Sequence, residues 1–292
     1  MSTPEVTPDR RLLHAAQSAG VGSRATTRAR RLYRQTTSSL RLLPQFLIIG
    51  AARAGTTSLY SYLVRHPSVS APTHKEIHYF DLNFERGLSW YRRHFPLNLP
   101  GIGHGVVSGE ASPYYLFHPA VAARVQQSLP DVKLIALLRN PIERAYSQHQ
   151  LASRHGRETL SFEEAISAEP ERLAGEAERM HFDRRYESFA HRHRTYLSRG
   201  LYAEQLERWY EQFPRSQIFV LKSEDFFLDP KAAYRDVLDF LDLERHELSE
   251  YRAFNQRPYA DLAPETREQL RHYFAAPNER LEALLERKLG WD

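Results

Sequence analysis

The sequence FLIIGAARAGTTSL at residues 46–59 decides the fold of this 292-residue chain. Its first four residues are apolar and two of them are β-branched, which is typical of a buried strand in a parallel sheet. Gly50 and Gly55 then enclose a loop with the spacing G-x-x-x-x-G-x-[ST], and the apolar residues of 58–63 recur at helical spacing. Strand, glycine loop and helix in this order predict an anion site formed by backbone amides at a helix N-terminus. The alternative is a tight strand-to-helix turn without a ligand.

Further strands and helices continue this pattern along the chain. Apolar runs at residues 133–138 and 217–221 are predicted as buried strands, and a helix from Ile142 follows the first of them. Other helices are predicted at residues 202–213, 229–245 and 264–289. Because strands alternate with helices, the sequence predicts an α/β fold with a P-loop-like parallel β-sheet flanked by helices on both faces.

Composition narrows the possible classes of function. With 41% hydrophobic residues, the chain can bury a large core. It contains no cysteine, which excludes disulfides, thiolate metal sites and a cysteine nucleophile. Its purely apolar runs are far shorter than the roughly 18 residues that span a bilayer, so we expect no membrane anchor and a cytoplasmic protein.

Positive charge is concentrated in the first part of the chain. Residues 1–41 hold eight arginines and two acidic residues, so the remainder has a net charge of −2 although the whole chain has +4. We interpret residues 1–43 as a basic, disordered leader and residues 44–292 as one domain. Such a leader can also contact nucleic acid or anionic lipid, or act as a transit peptide, but a solubilising role is favoured and no nucleic-acid partner is expected.

The glycine loop departs from an ordinary nucleoside-triphosphate site at two positions. Thr56 stands where such a site has lysine, and the positive charge comes earlier, at Arg53. The second strand is followed by Arg139, where a nucleotide hydrolase would place an aspartate that helps to hold Mg²⁺. The loop therefore fits a nucleotide with phosphate or sulfate groups that is bound without a metal. A Mg²⁺-dependent P-loop nucleotide kinase or hydrolase is the alternative.

Several ordered motifs resemble one known family. FLIIGAARAGTTSL, KEIHYFD at residues 75–81, GEASPYY at 109–115 and LIALLRNPIERAYS at 134–147 are similar to the sulfotransferases that use 3′-phosphoadenosine 5′-phosphosulfate. Within this family the chain resembles the heparan sulfate sulfotransferase-like branch and its bacterial relatives, over residues 44–292. The resemblance implies an enzyme that transfers a sulfuryl group, without a metal, to a hydroxyl of a carbohydrate, glycosylated metabolite or other small molecule.

The resemblance also implies which residues hold the donor. The 3′-phosphate contacts match Arg139 and Ser147, and Arg257 lies where the family has a basic loop that closes over the donor. Many members carry lysine at the position of Arg53; because arginine does not give up its proton, we expect Arg53 to stabilise charge electrostatically. The 5′-phosphosulfate is expected to contact the glycine loop at Arg53, Ala54, Gly55, Thr56, Thr57 and Ser58.

A general base must take the proton of the attacking hydroxyl. Glu76 matches the carboxylate that this branch uses as base, and the neighbouring Lys75 is expected to hold the sulfate or to keep Glu76 ionised. His78 is the rival base. One position departs from the family: members that modify glycosaminoglycans usually have Glu-Lys-Ser or Glu-Lys-Thr where this chain has Ala111 between Glu110 and Ser112, which weakens the case for a polyanionic acceptor.

Other features leave two interpretations open. Residues 153–199 are rich in Arg, Glu and His, and are interpreted as solvated helices, either a lid over the site or an ordinary surface. His191 and His193 lie one residue apart and do not share a helix face, so no metal site is predicted. The sequence does not specify an oligomeric state. Aromatic residues that either line an acceptor cleft or belong to the core are Tyr114, Tyr115, Tyr196 and Tyr202.

Overall fold

A parallel sheet of four strands forms the centre of the computed structural model, which describes residues 24–98, 106–254 and 261–291. The strands are β1 (Phe46–Gly50), β2 (Gly109–Ala111), β3 (Lys133–Leu138) and β4 (Ile218–Lys222), in the order β2-β1-β3-β4. Phe46 pairs with Gly109 on one side and Lys133 on the other, so β1 lies inside the sheet. All residues of β1 are buried, as the apolar run predicts.

Helices connect the strands and flank the sheet, which confirms the predicted α/β fold. In chain order, they are α1 (Arg24–Thr36), α2 (Thr56–Leu63), α3 (Tyr79–Leu82), α4 (Leu88–Arg92), α5 (Val121–Ser128), α6 (Pro141–Arg154), α7 (Phe162–Ser167), α8 (Glu169–Leu173), α9 (Glu176–Phe182), α10 (Phe189–His193), α11 (Tyr202–Tyr210), α12 (Ser223–Leu228), α13 (Pro230–Phe240) and α14 (Pro264–Leu285). Short 3₁₀ turns cover residues 38–40, 84–86, 198–200 and 215–217.

Three predicted helices end earlier than the sequence pattern indicates: α11 stops at Tyr210 instead of residue 213, and the other two end near a residue with a left-handed backbone. Helix α13 stops at Phe240, and α14 stops at Leu285, whereas the predictions extended to 245 and 289. Asp242 and Glu286 adopt φ angles of 56° and 55°. Because a non-glycine residue in this left-handed region cannot continue a right-handed helix, each of them marks the end of its helix.

Strand β2 was not predicted as a strand. It has only three residues, Gly109 to Ala111, and lacks the β-branched run that identifies the other strands. It forms because its backbone pairs with β1, where Leu47 faces Glu110. This pairing is a long-range contact, which local sequence patterns do not report.

The segment 153–199 contains more buried polar contacts within itself than the prediction of solvated helices implies. Its Glu158 and Glu169 side chains are buried. Glu169 accepts hydrogen bonds from the amides of residues 196–198, at 2.6–2.8 Å, and Glu158 pairs with Arg172 at 2.6 Å. Buried carboxylates need such partners to offset the loss of hydration, so these two acids fix the segment instead of facing water.

Residues 24–43 also differ from the expected disordered leader. They form α1 and a 3₁₀ turn, and the side chain of Arg41 is only 3% exposed. Arg41 Nη1 donates to the carbonyl of Phe95 at 2.8 Å, and Arg34 Nη1 donates to that of Arg93 at 3.1 Å. The described part of the leader is therefore folded and contacts the domain through Arg34 and Arg41, while residues 26–33 of α1 are exposed. Among the described residues, the helices are too short or too polar to span a bilayer.

We expect Arg41→Ala to lower the free energy of unfolding by about 2 kcal/mol, since it removes buried hydrogen bonds of a charged group. Arg30→Ala, on the exposed part of α1, should change it by less than about 0.5 kcal/mol. Urea denaturation of the full chain measures both values. Equal effects of the two substitutions would contradict the packed arrangement of this segment.

Candidate active site

The predicted anion loop lies at the carboxyl end of β1. Gly55, which precedes α2, has φ 99°, and a Cβ atom there would lie 2.9 Å from the ring of Phe227, so only glycine fits. The amide of Leu59 donates to the carbonyl of Gly55 at 3.1 Å as the helix begins. The amides before Leu59 lie in the first turn, where a helix offers no acceptor of its own, and they can donate to an anion.

Three of the predicted donor contacts converge from distant parts of the chain. Arg53 Nε donates to Ser147 Oγ at 3.0 Å, and Arg139 Nη1 donates to the carbonyl of Arg53 at 3.2 Å. Arg53 itself adopts φ 72°. The carboxyl end of β3 supplies Arg139, and α6 supplies Ser147, because neighbouring parallel strands end at the same edge of the sheet. Tyr202 fixes the backbone there by donating to the carbonyl of Arg139 at 2.8 Å.

Two other predicted contacts, Ser58 and Ala54, each have one polar group that is already hydrogen-bonded within the protein. The hydroxyl of Ser58 is buried and accepts a hydrogen bond from the amide of Phe254 at 2.9 Å, so it holds the chain rather than facing the loop. The amide of Ala54 donates to the carbonyl of Ala51 at 3.2 Å and is already used within the loop. A donor contact of Ser58 through its first-turn amide, and a contact of Ala54, stay predictions. Arg257 lies outside the described residues.

The candidate base lies beside the loop in a row of alternating charges. Lys75 Nζ donates to Thr57 Oγ1 at 3.0 Å and to Glu76 Oε1 at 2.8 Å. His78 Nε2 lies 3.5 Å from Glu76 Oε2, and its Nδ1 lies 2.6 Å from Asp81 Oδ2. The sequence analysis did not assign Asp81 a role, although its position three residues after His78 on a helical turn is a detectable signal.

These contacts shift both titrating groups. Burial alone would raise the pKa of Glu76, but hydrogen bonds from His78 and Lys75 and the charge of Lys75 lower it to about 2. Burial opposes the charge of His78, yet its hydrogen bonds to Asp81 and Glu76 raise the pKa of the imidazole to about 9. At neutral pH Glu76 is therefore a carboxylate, 44% exposed, while His78 is an imidazolium that has no lone pair to accept a proton.

A cavity of about 410 Å³ opens above these groups. Four cationic or titratable residues on its wall, Arg157, Arg192, His193 and Arg199, come from the segment interpreted as solvated helices. The remaining lining residues are Ala52, Arg53, Thr56, Thr57, Lys75, Glu76, His78, Pro113, Tyr114, Gln148 and Leu151. Local sequence patterns do not reveal this wall, because its residues approach the anion loop only through tertiary packing.

Of the four tyrosines that were candidates for an acceptor cleft, one lines the cavity and three belong to the core. Tyr114 lines the cavity, and its hydroxyl lies 2.7 Å from Nδ1 of the buried His191. Tyr115, Tyr196 and Tyr202 are buried. Across residues 24–98, 106–254 and 261–291, His, Asp and Glu form no group of three that could hold a metal ion.

Comparisons with known proteins show the family and the fold of the chain. The family model described as sulfotransferase domain matches residues 43–257. The crystal structure of a sulfotransferase from Alicyclobacillus acidocaldarius is 34% identical, with a TM-score of 0.70 over 86% of this chain and 99% of that one. Heparan sulfate glucosamine 3-O-sulfotransferase 3A1 of Mus musculus is 30% identical, over 86% of this chain and 65% of the relative. The membrane-associated sulfotransferase kil1 of Dictyostelium discoideum is 28% identical, over 85% and 66%. This chain thus spans about two thirds of the length of both curated relatives.

We expect His78 to titrate near pH 9, and Asp81→Asn to lower that pKa toward 6.5 because a hydrogen-bond acceptor of the charged ring becomes neutral. Since the folded-state pKa is raised, protonation stabilises the fold fully below about pH 6.5, and this stabilisation is lost as the pH rises through about 9. Nitrogen-15 NMR of the histidine rings measures the titration. The exposed Asp131→Asn should leave it unchanged; a pKa near 6.5 in the unmodified protein would contradict the row of charges.

Proposed function

The chain belongs to the sulfotransferase family, and we propose that it transfers a sulfuryl group from 3′-phosphoadenosine 5′-phosphosulfate to a hydroxyl of a carbohydrate, glycosylated metabolite or other small molecule. The observation that carries the proposal is the position of Lys75. Its ammonium donates both to Thr57 in the anion loop and to the carboxylate of Glu76. A sulfate at the loop would therefore lie beside a carboxylate that can act as base.

The charges around the loop suit a donor with two anionic ends. Arg53, Lys75 and the first amides of α2 would hold the 5′-phosphosulfate, with Thr56 and Thr57 beside them. Arg139 and Ser147 would hold the 3′-phosphate, and Arg257 stays a predicted further contact. These cations fit the bound groups because charge-assisted hydrogen bonds to phosphate are short and strong. The donor supplies an activated sulfuryl group.

The reaction proposed for this site is an in-line displacement. The acceptor oxygen forms a bond to sulfur as the bond between sulfur and the bridging phosphate oxygen breaks, and 3′-phosphoadenosine 5′-phosphate leaves. Glu76 takes the proton of the acceptor hydroxyl. Arg53 and Lys75 stabilise the negative charge that develops on the bridging oxygen, which is the main catalytic requirement of such a loose transition state.

The protonation states favour Glu76 over His78 as base. A histidine with a pKa of about 9 is charged at neutral pH and cannot accept the proton. The low pKa of Glu76 depends on Lys75 and His78 as partners. An anionic donor that draws the ammonium of Lys75 away would raise the pKa of Glu76 toward its ordinary value and make it a stronger base.

The cavity wall supports an acceptor of the carbohydrate class. Arg157, Arg192 and Arg199 line the side of the cavity built by the segment 153–199, beyond the donor loop. Guanidinium groups there suit a sugar that carries a carboxylate or sulfate near the reacting hydroxyl. Ala111, which replaces the family's lysine, argues against the long polyanion of a glycosaminoglycan. The cytoplasmic location expected from the sequence stays a prediction, which cell fractionation tests.

We expect 3′-phosphoadenosine 5′-phosphate without metal to raise the unfolding temperature, because a ligand at 100 times its Kd adds about 2.7 kcal/mol of stability. Arg139→Ala should abolish this shift, while Arg154→Ala, at the exposed end of α6, should preserve it. Thermal unfolding measures all three proteins. A response only to ATP with Mg²⁺ would overturn the proposal in favour of a nucleotide kinase or hydrolase.

We expect Glu76→Gln to lower sulfuryl transfer by at least about 100-fold, since it removes the base but keeps the shape of the side chain. The bisphosphate should still bind. Release of 3′-phosphoadenosine 5′-phosphate in the presence of a panel of carbohydrate and phenolic acceptors measures turnover, with the exposed Glu85→Gln as control. Full activity of the Glu76 variant would exclude it as base.

A further inference from the structure

A carboxylate with no role in the reaction lies fully buried on β2. Glu110 accepts four hydrogen bonds: Oε1 accepts from the hydroxyls of Tyr91 at 2.6 Å and Tyr115 at 2.9 Å. Oε2 accepts from the hydroxyl of Ser112 at 2.9 Å and from the amide of Ile77 at 3.2 Å. Burial raises the pKa of this group, and the hydrogen bonds from the three hydroxyls oppose that shift.

The hydroxyls that donate to Glu110 also accept hydrogen bonds from the loop that carries the candidate base. Tyr115 accepts from the amides of Tyr79 at 2.9 Å and Phe80 at 3.4 Å, and Ser112 accepts from the amide of His78 at 3.4 Å. Each hydroxyl has one proton, and because that proton goes to the carboxylate, its lone pairs are left to face the loop. The carboxylate therefore holds the amide of Ile77 itself and orients the two hydroxyls that hold the next three amides, 78–80.

The loop needs such support because its backbone is strained. Glu76 and His78 adopt φ angles of 60° and 53°, a left-handed region that is unfavourable for residues other than glycine. The same support fixes the distance between this loop and the anion loop. Glu110 pairs in register with Leu47 of β1, the strand that leads into the anion loop. The two loops are thereby attached to neighbouring strands of one sheet.

We propose that Glu110 is a positioning residue: through Tyr115 and Ser112 it holds Glu76 and His78 at their distance from the anion loop. That the held group is the base of a sulfuryl transfer rests on the proposed function. A purely structural role would be satisfied by packing, since an apolar replacement of a buried polar network is often neutral or stabilising. Here, in contrast, Glu110, Ser112 and Tyr115 accept hydrogen bonds from backbone amides of the loop that carries Glu76 and His78.

Two tyrosines provide a matched test. Tyr91 and Tyr115 are both fully buried and both donate to Oε1 of Glu110, but only Tyr115 also accepts amides of the loop. Phenylalanine at either position keeps the ring and removes one hydrogen bond to Glu110. Both substitutions should lower the midpoint of urea denaturation, Tyr115→Phe by more because two amides also lose their acceptor, while only Tyr115→Phe should disturb the loop.

The first measurement is the ring titration of His78 by nitrogen-15 NMR, which needs no substrate. We expect Tyr115→Phe to lower its pKa from about 9 by at least about one unit, because the ring loses its alignment with Glu76 and Asp81, while Tyr91→Phe leaves it unchanged. If His78 has the same pKa in Tyr115→Phe as in Tyr91→Phe, the proposal is overturned. If Tyr115→Phe does not fold, Ser112→Ala decides the question in the same way.

The second measurement separates this inference from the proposed function. Affinity for 3′-phosphoadenosine 5′-phosphate should stay within about twofold in both variants, and kcat on an acceptor that the unmodified protein sulfates should fall about 100-fold only in Tyr115→Phe, as expected for a misplaced catalytic group. An unmodified protein that does not bind the bisphosphate would reject the proposed function. A shifted His78 titration would still support the positioning role of Glu110.

Discussion

The pairing of β1 with strands on both of its sides is the constraint on which the site depends. Because β1 lies between β2 and β3, its loop is one strand away from Arg139 and one strand away from Glu110. Strands in a sheet are about 4.8 Å apart, so groups that follow neighbouring strands reach one another without long side chains. The donor contacts and the support of the candidate base are thus both set by the register of a single strand.

Paired opposite charges and strained backbone conformations occur together in the loops of the candidate site. Three non-glycine residues of the site, Arg53, Glu76 and His78, have left-handed backbones. Strain of this kind persists only where the surroundings determine the conformation, and here hydrogen bonds to Ser147, Lys75 and Asp81 do so. The alternation of Lys75, Glu76, His78 and Asp81 gives each charge an opposite neighbour. A site prepared in this way needs little reorganisation when an anion binds.

How far the sequence predicts this arrangement depends on the range of the interactions. The apolar strands and the glycine loop follow from local patterns, the roles of Arg139 and Ser147 are implied by the family resemblance, and the fold and family are confirmed. Three features are not predictable in this way because contacts with distant residues fix them. They are strand β2, the position of helix α1 and the buried hydroxyl of Ser58. The cationic wall was missed for the same reason: its arginines resemble a solvated surface until tertiary packing turns them toward the loop.

The two sides of the cavity come from different parts of the fold, which affects how easily the residues on each side can change. The donor side is formed by loops at strand ends, so changes there disturb the sheet itself. The opposite wall belongs to the segment 153–199, whose helices are held to one another by buried contacts such as Glu169 with the amides of residues 196–198 and Glu158 with Arg172. Side chains such as Arg157 and Arg192 can change there without altering strand register. The fold therefore constrains the predicted donor side more strongly than the wall built by residues 153–199.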